Sequence, residues 1–387
     1  MSSPAGAPST GGTTSTVGAP STGGTTSTVG APLAVTQSIA TGHDYTCTVL
    51  SGGTVQCWGT NNVGQLGNGT RANSSPVPTT VFGITNAIAV AAGNDQTCAV
   101  LSGGTVQCWG SNLYGQLGAA GYTATGSSVP VTVSGITNAI AVSAGDSDIR
   151  GAHTCALLNG GTIKCWGYGE LGDGASDATR TSVVVTVSGI TNAIAVSAGL
   201  ESTCAVLSGG TVQCWGNNEY GQLGNDSTMK NSLVPVTVSG ITNAIAVSCG
   251  WDRACAVLSG GTVQCWGGAY LGNGSANSSL GPVAVTGITN AIAVSAGFRD
   301  CALLNDGTVQ CWGLNQQGAL GNGTMIDSLV PVTVSGITNA TAVATGFSHS
   351  CALLNGGSVK CWGDNTYGEL GNDTTTSSLV PVTVSGF

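Results

Sequence analysis

Residues 87–133 decide the fold. They read A-I-A-V-A-A-G (87–93), T-C-A-V-L (97–101), S-G-G (102–104), T-V-Q-C-W-G (105–110), G-Q-L-G (115–118) and V-P-V-T-V (129–133). Four short apolar or alternating runs, bounded by Gly, Asn, Ser and Pro, have the pattern of four β-strands. The S-G-G turn between the second and third runs is a hairpin signal, because glycine takes positive φ without steric cost. The link S-G-I-T-N (134–138) then opens another copy, and a unit of about 50 residues recurs seven times up to residue 387. One small four-stranded sheet cannot bury both of its faces. Stacking seven in a closed ring does so and protects most edges. The expected fold is all-β: a seven-bladed β-propeller of four-stranded antiparallel blades over residues 32–387. The first copy begins with its first strand and the last ends with its fourth, so closing the ring requires no strand exchanged between the termini.

Residues 1–31 stand apart. The unit G-A-P-S-T-G-G-T-T-S-T-V occurs at 6–17 and again at 18–29. With almost no apolar mass it cannot offset its own ordering entropy. Two readings stay open: a flexible linker carrying O-glycans, or a Thr-rich arm that adds as a strand to a neighbouring subunit.

Charged residues make up 6% of the chain, against about 25% in ordinary proteins. The formal charge is −9, with eight Lys and Arg. A nucleic-acid binder needs clustered basic side chains to neutralise phosphates, and none occurs here. No apolar run approaches the roughly 18 residues of a membrane span.

Fourteen of the fifteen cysteines form pairs ten positions apart, each straddling the glycine turn: Cys47 with Cys57, Cys98 with Cys108, Cys155 with Cys165, Cys204 with Cys214, Cys255 with Cys265, Cys301 with Cys311 and Cys351 with Cys361. Across a three-residue hairpin loop the two members face each other. In a non-hydrogen-bonded pair their Cα atoms would be about 4.5 Å apart, close enough for a disulfide. Zinc needs four ligands and usually closer spacing, which one pair per blade does not supply. Seven intra-blade disulfides imply an oxidising compartment. The N-terminus shows neither a basic start nor an apolar stretch, so a secreted or cell-surface location rests on the cysteines rather than on an address. Cys249 is left over, replacing the Ala of V-S-A-G; it reads as a small buried thiol or as an intermolecular bridge.

Copies such as C-A-L-L-N-G-G-S-V-K-C-W-G-D-N-T-Y-G-E-L-G at 351–371 resemble RCC1-type repeats, through the W-G, the G-x-L-G and the A-G before the second strand. The resemblance covers residues 33–387 and implies the propeller. Function does not transfer with it. The founder of the family promotes nucleotide exchange on a small GTPase and sits on chromatin, but this chain has no basic tail. Secreted bacterial relatives are more similar, and one group of them inhibits β-lactamases through loops on one face of the disc.

Seven tryptophans follow the second cysteine of a pair: Trp58, Trp109, Trp166, Trp215, Trp266, Trp312 and Trp362. Recurrence in every blade marks them as packing residues between blades rather than ligand-stacking platforms. The G-Q-L-G segments lack the Lys and the following helix of a phosphate loop and read as turns.

Comparing the copies separates two faces. The second-to-third turn and the fourth-to-first link hardly vary. The first-to-second and third-to-fourth loops vary freely, and in an up-down blade both lie on the same side. The first-to-second loops hold all three histidines and the one tryptophan outside the blade motif. The candidate interaction face is His43, Tyr45, Arg150, His153, Trp251, Arg253, Phe298, Arg299, Phe347 and His349, since Trp, Tyr and Arg dominate interface energetics. The bland alternative is that these side chains only pack around the mouth of the central channel. The third-to-fourth loops carry N-x-S/T sequons at Asn68, Asn73, Asn225, Asn273, Asn277, Asn322 and Asn372, candidate glycosylation sites.

No G-x-S-x-G, H-E-x-x-H or Walker-type run occurs, and three scattered histidines define no metal site. The expectation is a non-enzymatic protein without cofactor. It is either a surface structural protein that assembles with itself into a fibre or layer, or a binding module or inhibitor acting on another extracellular protein or glycan. Exchange-factor or chromatin work by family analogy is the third and most distant reading.

Overall fold

The computed structural model describes residues 38–120, 124–145, 152–175 and 181–387. The low-complexity arm, residues 1–31, lies outside them, and so does Arg150. Among the described residues, twenty-eight strands form seven four-stranded antiparallel sheets, each from four consecutive strands in sequence order. Blade 1 comprises Ser38–Thr41, Tyr45–Val49, Val55–Thr60 and Ser74–Thr80; blade 7 comprises Ala340–Thr345, His349–Leu354, Val359–Gly363 and Ser378–Thr383. No blade mixes strands from the two ends of the chain. The first strands touch one another in succession and blade 7 touches blade 1, so the protein is a closed seven-bladed propeller with its first strands around the axis.

Alternation along each strand explains how the blades pack. Cys47, Val49, Val55 and Cys57 share one face of blade 1, while Trp58 points to the other. That cysteine–valine face meets the Ala99 and Trp109 face of blade 2 in one apolar cluster. The same arrangement repeats around the ring as seven clusters, and the last joins Cys351, Cys361 and Leu370 of blade 7 to Ile39 and Trp58 of blade 1. The tryptophans are therefore interblade wedges. Burying one removes about 150–250 Å² from water, about 4–6 kcal/mol at 25 cal/mol per Å².

All seven disulfides form with the expected pairing, one inside each blade. Leu50 N donates to Thr54 O and Thr60 N to Asp44 O. By alternation Cys47 and Cys57, which face each other directly, form a non-hydrogen-bonded pair. The Cα atoms of the bridged cysteines stand 4.0–4.1 Å apart, closer than the roughly 4.5 Å of an unbridged pair.

Each wedge is completed by a hydrogen bond, except at two positions. Trp58, Trp109, Trp166, Trp266 and Trp362 donate from Nε1 to a backbone carbonyl in the turn of the preceding blade, for example Trp109 to Gln65 O at 2.9 Å. Trp215 and Trp312 reach no such carbonyl; the Trp312 indole lies instead against the buried Asp300 carboxylate, its partner across the strand pair. The sequence explains the difference. In five blades a leucine follows the tryptophan by eight residues, as Leu117 follows Trp109; in blades 3 and 5 it follows by five, as Leu171 follows Trp166 and Leu271 follows Trp266. The long turn is organised by a buried Asn (61, 112, 218, 315 or 365) whose Oδ1 accepts from that leucine's N–H. Gly169 and Ala269 stand in its place in the short turns. Blades 3 and 5 are the ones that precede Trp215 and Trp312.

Candidate functional site

The variable loops build two layers at one mouth of the axial channel. The lower layer starts at the first residue of each second strand. Tyr45 donates from Oη to Gln96 O at 2.6 Å, and Gln96 Nε2 donates to Gly145 O at 2.9 Å. His153 Nε2 lies 2.7 Å from Thr203 Oγ1, and His349 Nε2 lies 2.8 Å from Thr46 Oγ1. Arg253 Nη1 is 3.7 Å from Asp300 Oδ2, and Arg299 Nη2 donates to Phe347 O at 2.7 Å. Each of these hydrogen bonds, and the Arg253–Asp300 ion pair, crosses to the next blade. Tyr45, His153, Arg253, Arg299 and His349 are all buried. Five of the ten candidate contact residues therefore offer no surface; they are spokes between blades. Sequence position does not separate them from true surface residues, because loop residues and strand-opening residues alternate within three positions.

Burial sets their electrostatics. It pushes His153 and His349 down to about 4, so both are neutral bridges at physiological pH. Asp300 is pushed up to about 6, chiefly by burial and partly offset by Arg253. Burial lowers Arg299 to about 10. For Arg253 burial also lowers the value, but Asp300 and Asp252 outweigh it and the net direction is upward. Asp252 holds Arg253 Nε at 3.0 Å. This charged group fills the junction between blade 5, with its short turn, and blade 6, where Asp300 faces Trp312 across the strand pair.

The upper layer is aromatic. His43 and Phe347 stack with ring centroids 4.0 Å apart and planes 13° apart. Trp251, Phe298 and Phe347 form a triangle with centroid separations of 4.7, 4.8 and 5.9 Å. All four are half-buried. They come from blades 1, 5, 6 and 7, and the corresponding residue of blade 2 is the polar Asn94. The buried Arg299 anchors this layer by holding Phe347 O. Beneath the rings the ends of all seven first strands enclose a cavity of about 40 Å³. That admits water but not a small-molecule substrate, whose sites run to about 300–1,000 Å³. Cys249 lines this cavity, is buried and unbridged, and has its thiol pushed up to about 12 by burial. Its burial accords with the first reading, a small buried thiol. At the other end of the first strands, which open Ala-Ile in blades 2 to 6, Ile88, Ile140, Ile194 and Ile292 pack against the interblade clusters and Ile245 is 46% exposed.

The RCC1-like domain profile matches residues 10–340, and RCC1 repeat profiles match 340–369 and 356–387. The chain belongs to the RCC1-like domain family. This RCC1-like propeller is 30% identical over 168 residues to the mouse E3 ubiquitin-protein ligase HERC2, covering 41% of this chain and 3% of HERC2. It is 31% identical over 238 residues to the Arabidopsis thaliana ultraviolet-B receptor UVR8, covering 59% of this chain and 52% of UVR8. The chain thus spans a small part of the one relative and about half of the other. The crystal structure of human WBSCR16 superposes with a TM-score of 0.74 at 23% identity, over 83% of this chain and 87% of that one, and shares its fold.

The remaining candidates of the RCC1-like propeller are readily placed. Asn68, Asn322 and Asn372 accept from the threonine two residues on, and Asn273 accepts from Ser275 N, so these sequon side chains shape their own turns. Asn225 is half-buried, whereas Asn73 and Asn277 are exposed. Cys255, Cys265 and Asp300 lie within 4.8 Å of one another, but both sulfurs are spent in a disulfide and the trio offers no thiolate pair. Seven disulfides are what an oxidising environment forms. Among the described residues no helix is long and apolar enough to cross a membrane.

Proposed function

We propose that this protein is a non-enzymatic extracellular assembly protein, a stapled disc that joins copies of itself into a fibre or layer. The observation that carries this reading is the aromatic patch of Trp251, Phe298, Phe347 and His43 on the diversified face, half-buried and buttressed from below by Arg299. Aromatic rings fixed in this way make contact area at low entropic expense. The uniform face at the other end of the same axis would supply the other half of the contact, and Ile245 stands exposed at the start of a first strand there. Joining unlike ends gives a contact that repeats without closing, which is the geometry of a filament.

The test is a Trp251→Ala/Phe298→Ala/Phe347→Ala variant examined by light scattering and negative-stain imaging beside the wild type. Assembly should disappear while the thermal midpoint stays within a few degrees. Arg253 is excluded from this variant because its loss would strand the buried Asp300. If the variant assembles like the wild type, this face is not the contact. The one-sided origin of the rings favours a second reading, in which the same patch captures another extracellular protein or glycan, as a binding module or inhibitor would. A strictly monomeric wild type that pulls down a partner through these three residues would select it. Nucleotide exchange or chromatin binding by family analogy fits poorly with seven disulfides, and the matched stretches cover only 3% of HERC2 and 52% of UVR8, so the activities of those proteins are not carried over.

A further inference from the structure

The outer strands of the seven blades carry a guard that is missing once. Six of them place a proline immediately before the residue opposite the second cysteine: Pro78, Pro130, Pro235, Pro282, Pro331 and Pro381. In blade 3 the residue opposite Cys165 is Val185, and the position before it is Val184. Val187 N donates inward to Ile163 O, so by alternation the amide of Val184 points away from the sheet. Proline belongs at such a position, because it removes an outward N–H that could pair with another chain.

Among the described residues a second guard also differs at the same blade. In six junctions an amide of the third-to-fourth loop clasps a carbonyl of the next outer strand, as Gly69 N does Ser128 O, Gly174 N does Leu233 O and Asp373 N does Pro76 O. At the junction of blades 2 and 3 the equivalent amide, Ala120 N, donates to Ser134 Oγ instead. The strand left in this state, Thr181–Thr186, reads T-S-V-V-V-T: neutral, β-branched and proline-free, with Val183 66% exposed. Sequences of that kind pair readily with another strand.

We propose that the outer edge of blade 3 is an acceptor for a fifth strand, and that its occupant is a T-T-S-T-V run (13–17 or 25–29) from the arm of a second copy. The inference rests on the assembly reading and adds to it a place and a partner segment. Each run is neutral, free of proline and charge, β-branched at four of five positions, and as long as an ordinary strand. Ser38, where the described ring begins, opens an axial strand on the uniform face, the face that a stacked neighbour would cover. In a stack joined by unlike ends that neighbour is the next disc. The 37 residues before Ser38 span at most about 120 Å when extended, ample to reach its rim. Main-chain bonds would supply affinity, and the single unguarded edge would supply register.

The test uses the full chain with Val184→Pro, the residue that six blades already carry on the same backbone. The onset concentration for assembly should rise at least tenfold, with the thermal midpoint unchanged. Ser15→Pro/Ser27→Pro, outside the ring and unable to unfold it, should do the same. A labelled peptide of residues 6–31 should bind residues 32–387, whose ring closes without the arm, and should not bind its Val184→Pro form. Wild-type-like assembly of both proline variants would overturn the inference while leaving the assembly reading intact. A monomeric wild type would remove both. A monomer whose 181–186 amides are protected from exchange only while the arm is present would mean that the arm folds back on its own disc, which also defeats the second-copy proposal.

Discussion

At the scale of single residues, one side chain type in equivalent places has unequal partners, and that inequality is measurable. Trp109 and Trp215 are both fully buried, but only Trp109 donates its indole N–H, to Gln65 O. Replacing either by Phe removes similar apolar area. Trp109→Phe also loses a hydrogen bond, so it should be the more destabilising by about 1 kcal/mol in denaturant unfolding. Equal losses would show that the indole bond contributes nothing. The tryptophans were legible from the sequence as wedges because they recur. Their hydrogen bonds were readable only in part: the W-G-x-N spacing and its loss in blades 3 and 5 are visible in the chain, but the carbonyl they reach belongs to another blade. Tyr45, His153, Arg253, Arg299 and His349 were misplaced on the contact face for the same reason, since a spoke and a surface residue differ only by what stands across the junction.

At the scale of the element, the turns closing each third strand are built against the next blade rather than within their own. The last glycine of G-Q-L-G shows it. Gly118 has φ +60, and a Cβ there would sit 2.8 Å from Trp166 Nε1. Gly118→Ala would meet both a left-handed backbone and an indole, and should lower stability by several kcal/mol. Gly135, with φ +73 but open space around it, should lose only about 1 kcal/mol as Gly135→Ala. A thermal scan of the two variants separates steric contact from backbone preference. Strand number, order and disulfide pairing were all legible, because the hairpin turn and the ten-residue spacing are local. The exceptional character of the outer strand of blade 3 was not: Val184 looks ordinary until six aligned prolines show where its amide points.

At the scale of the whole molecule, buried ionisable groups oppose one another. His153 and His349 are held at about 4, below their ordinary 6.5, so the stability they contribute is present above pH 6.5 and is lost as pH falls towards 4. Asp300 at about 6 and Glu369 at about 7 are raised, mainly by burial, so theirs is present at acid pH and is lost as pH rises through those values. Between about pH 7 and pH 5 the two pairs offset each other, and the wild type should change little in denaturant midpoint. His153→Gln/His349→Gln leaves the carboxyls alone, and that variant should become more stable on acidification over the same interval. A variant that loses stability over this interval would show that the carboxyls are not the opposing groups.

The ring closes at a single seam. Blade 7 meets blade 1 through Trp58, whose indole donates to Glu369 O and whose ring edge meets Phe387, and no covalent link crosses the junction. If copies are linked in a row through their arms, tension enters each disc there, at the innermost strand Ser38–Thr41. The seam is then the mechanical fuse. Behind it, each blade can yield only the chain outside its disulfide, because the residues between Cys47 and Cys57, and their counterparts, are shielded from the load. A row of such discs would stretch in short, equal steps and reseat when slack, and it would become longer and weaker in a reducing medium.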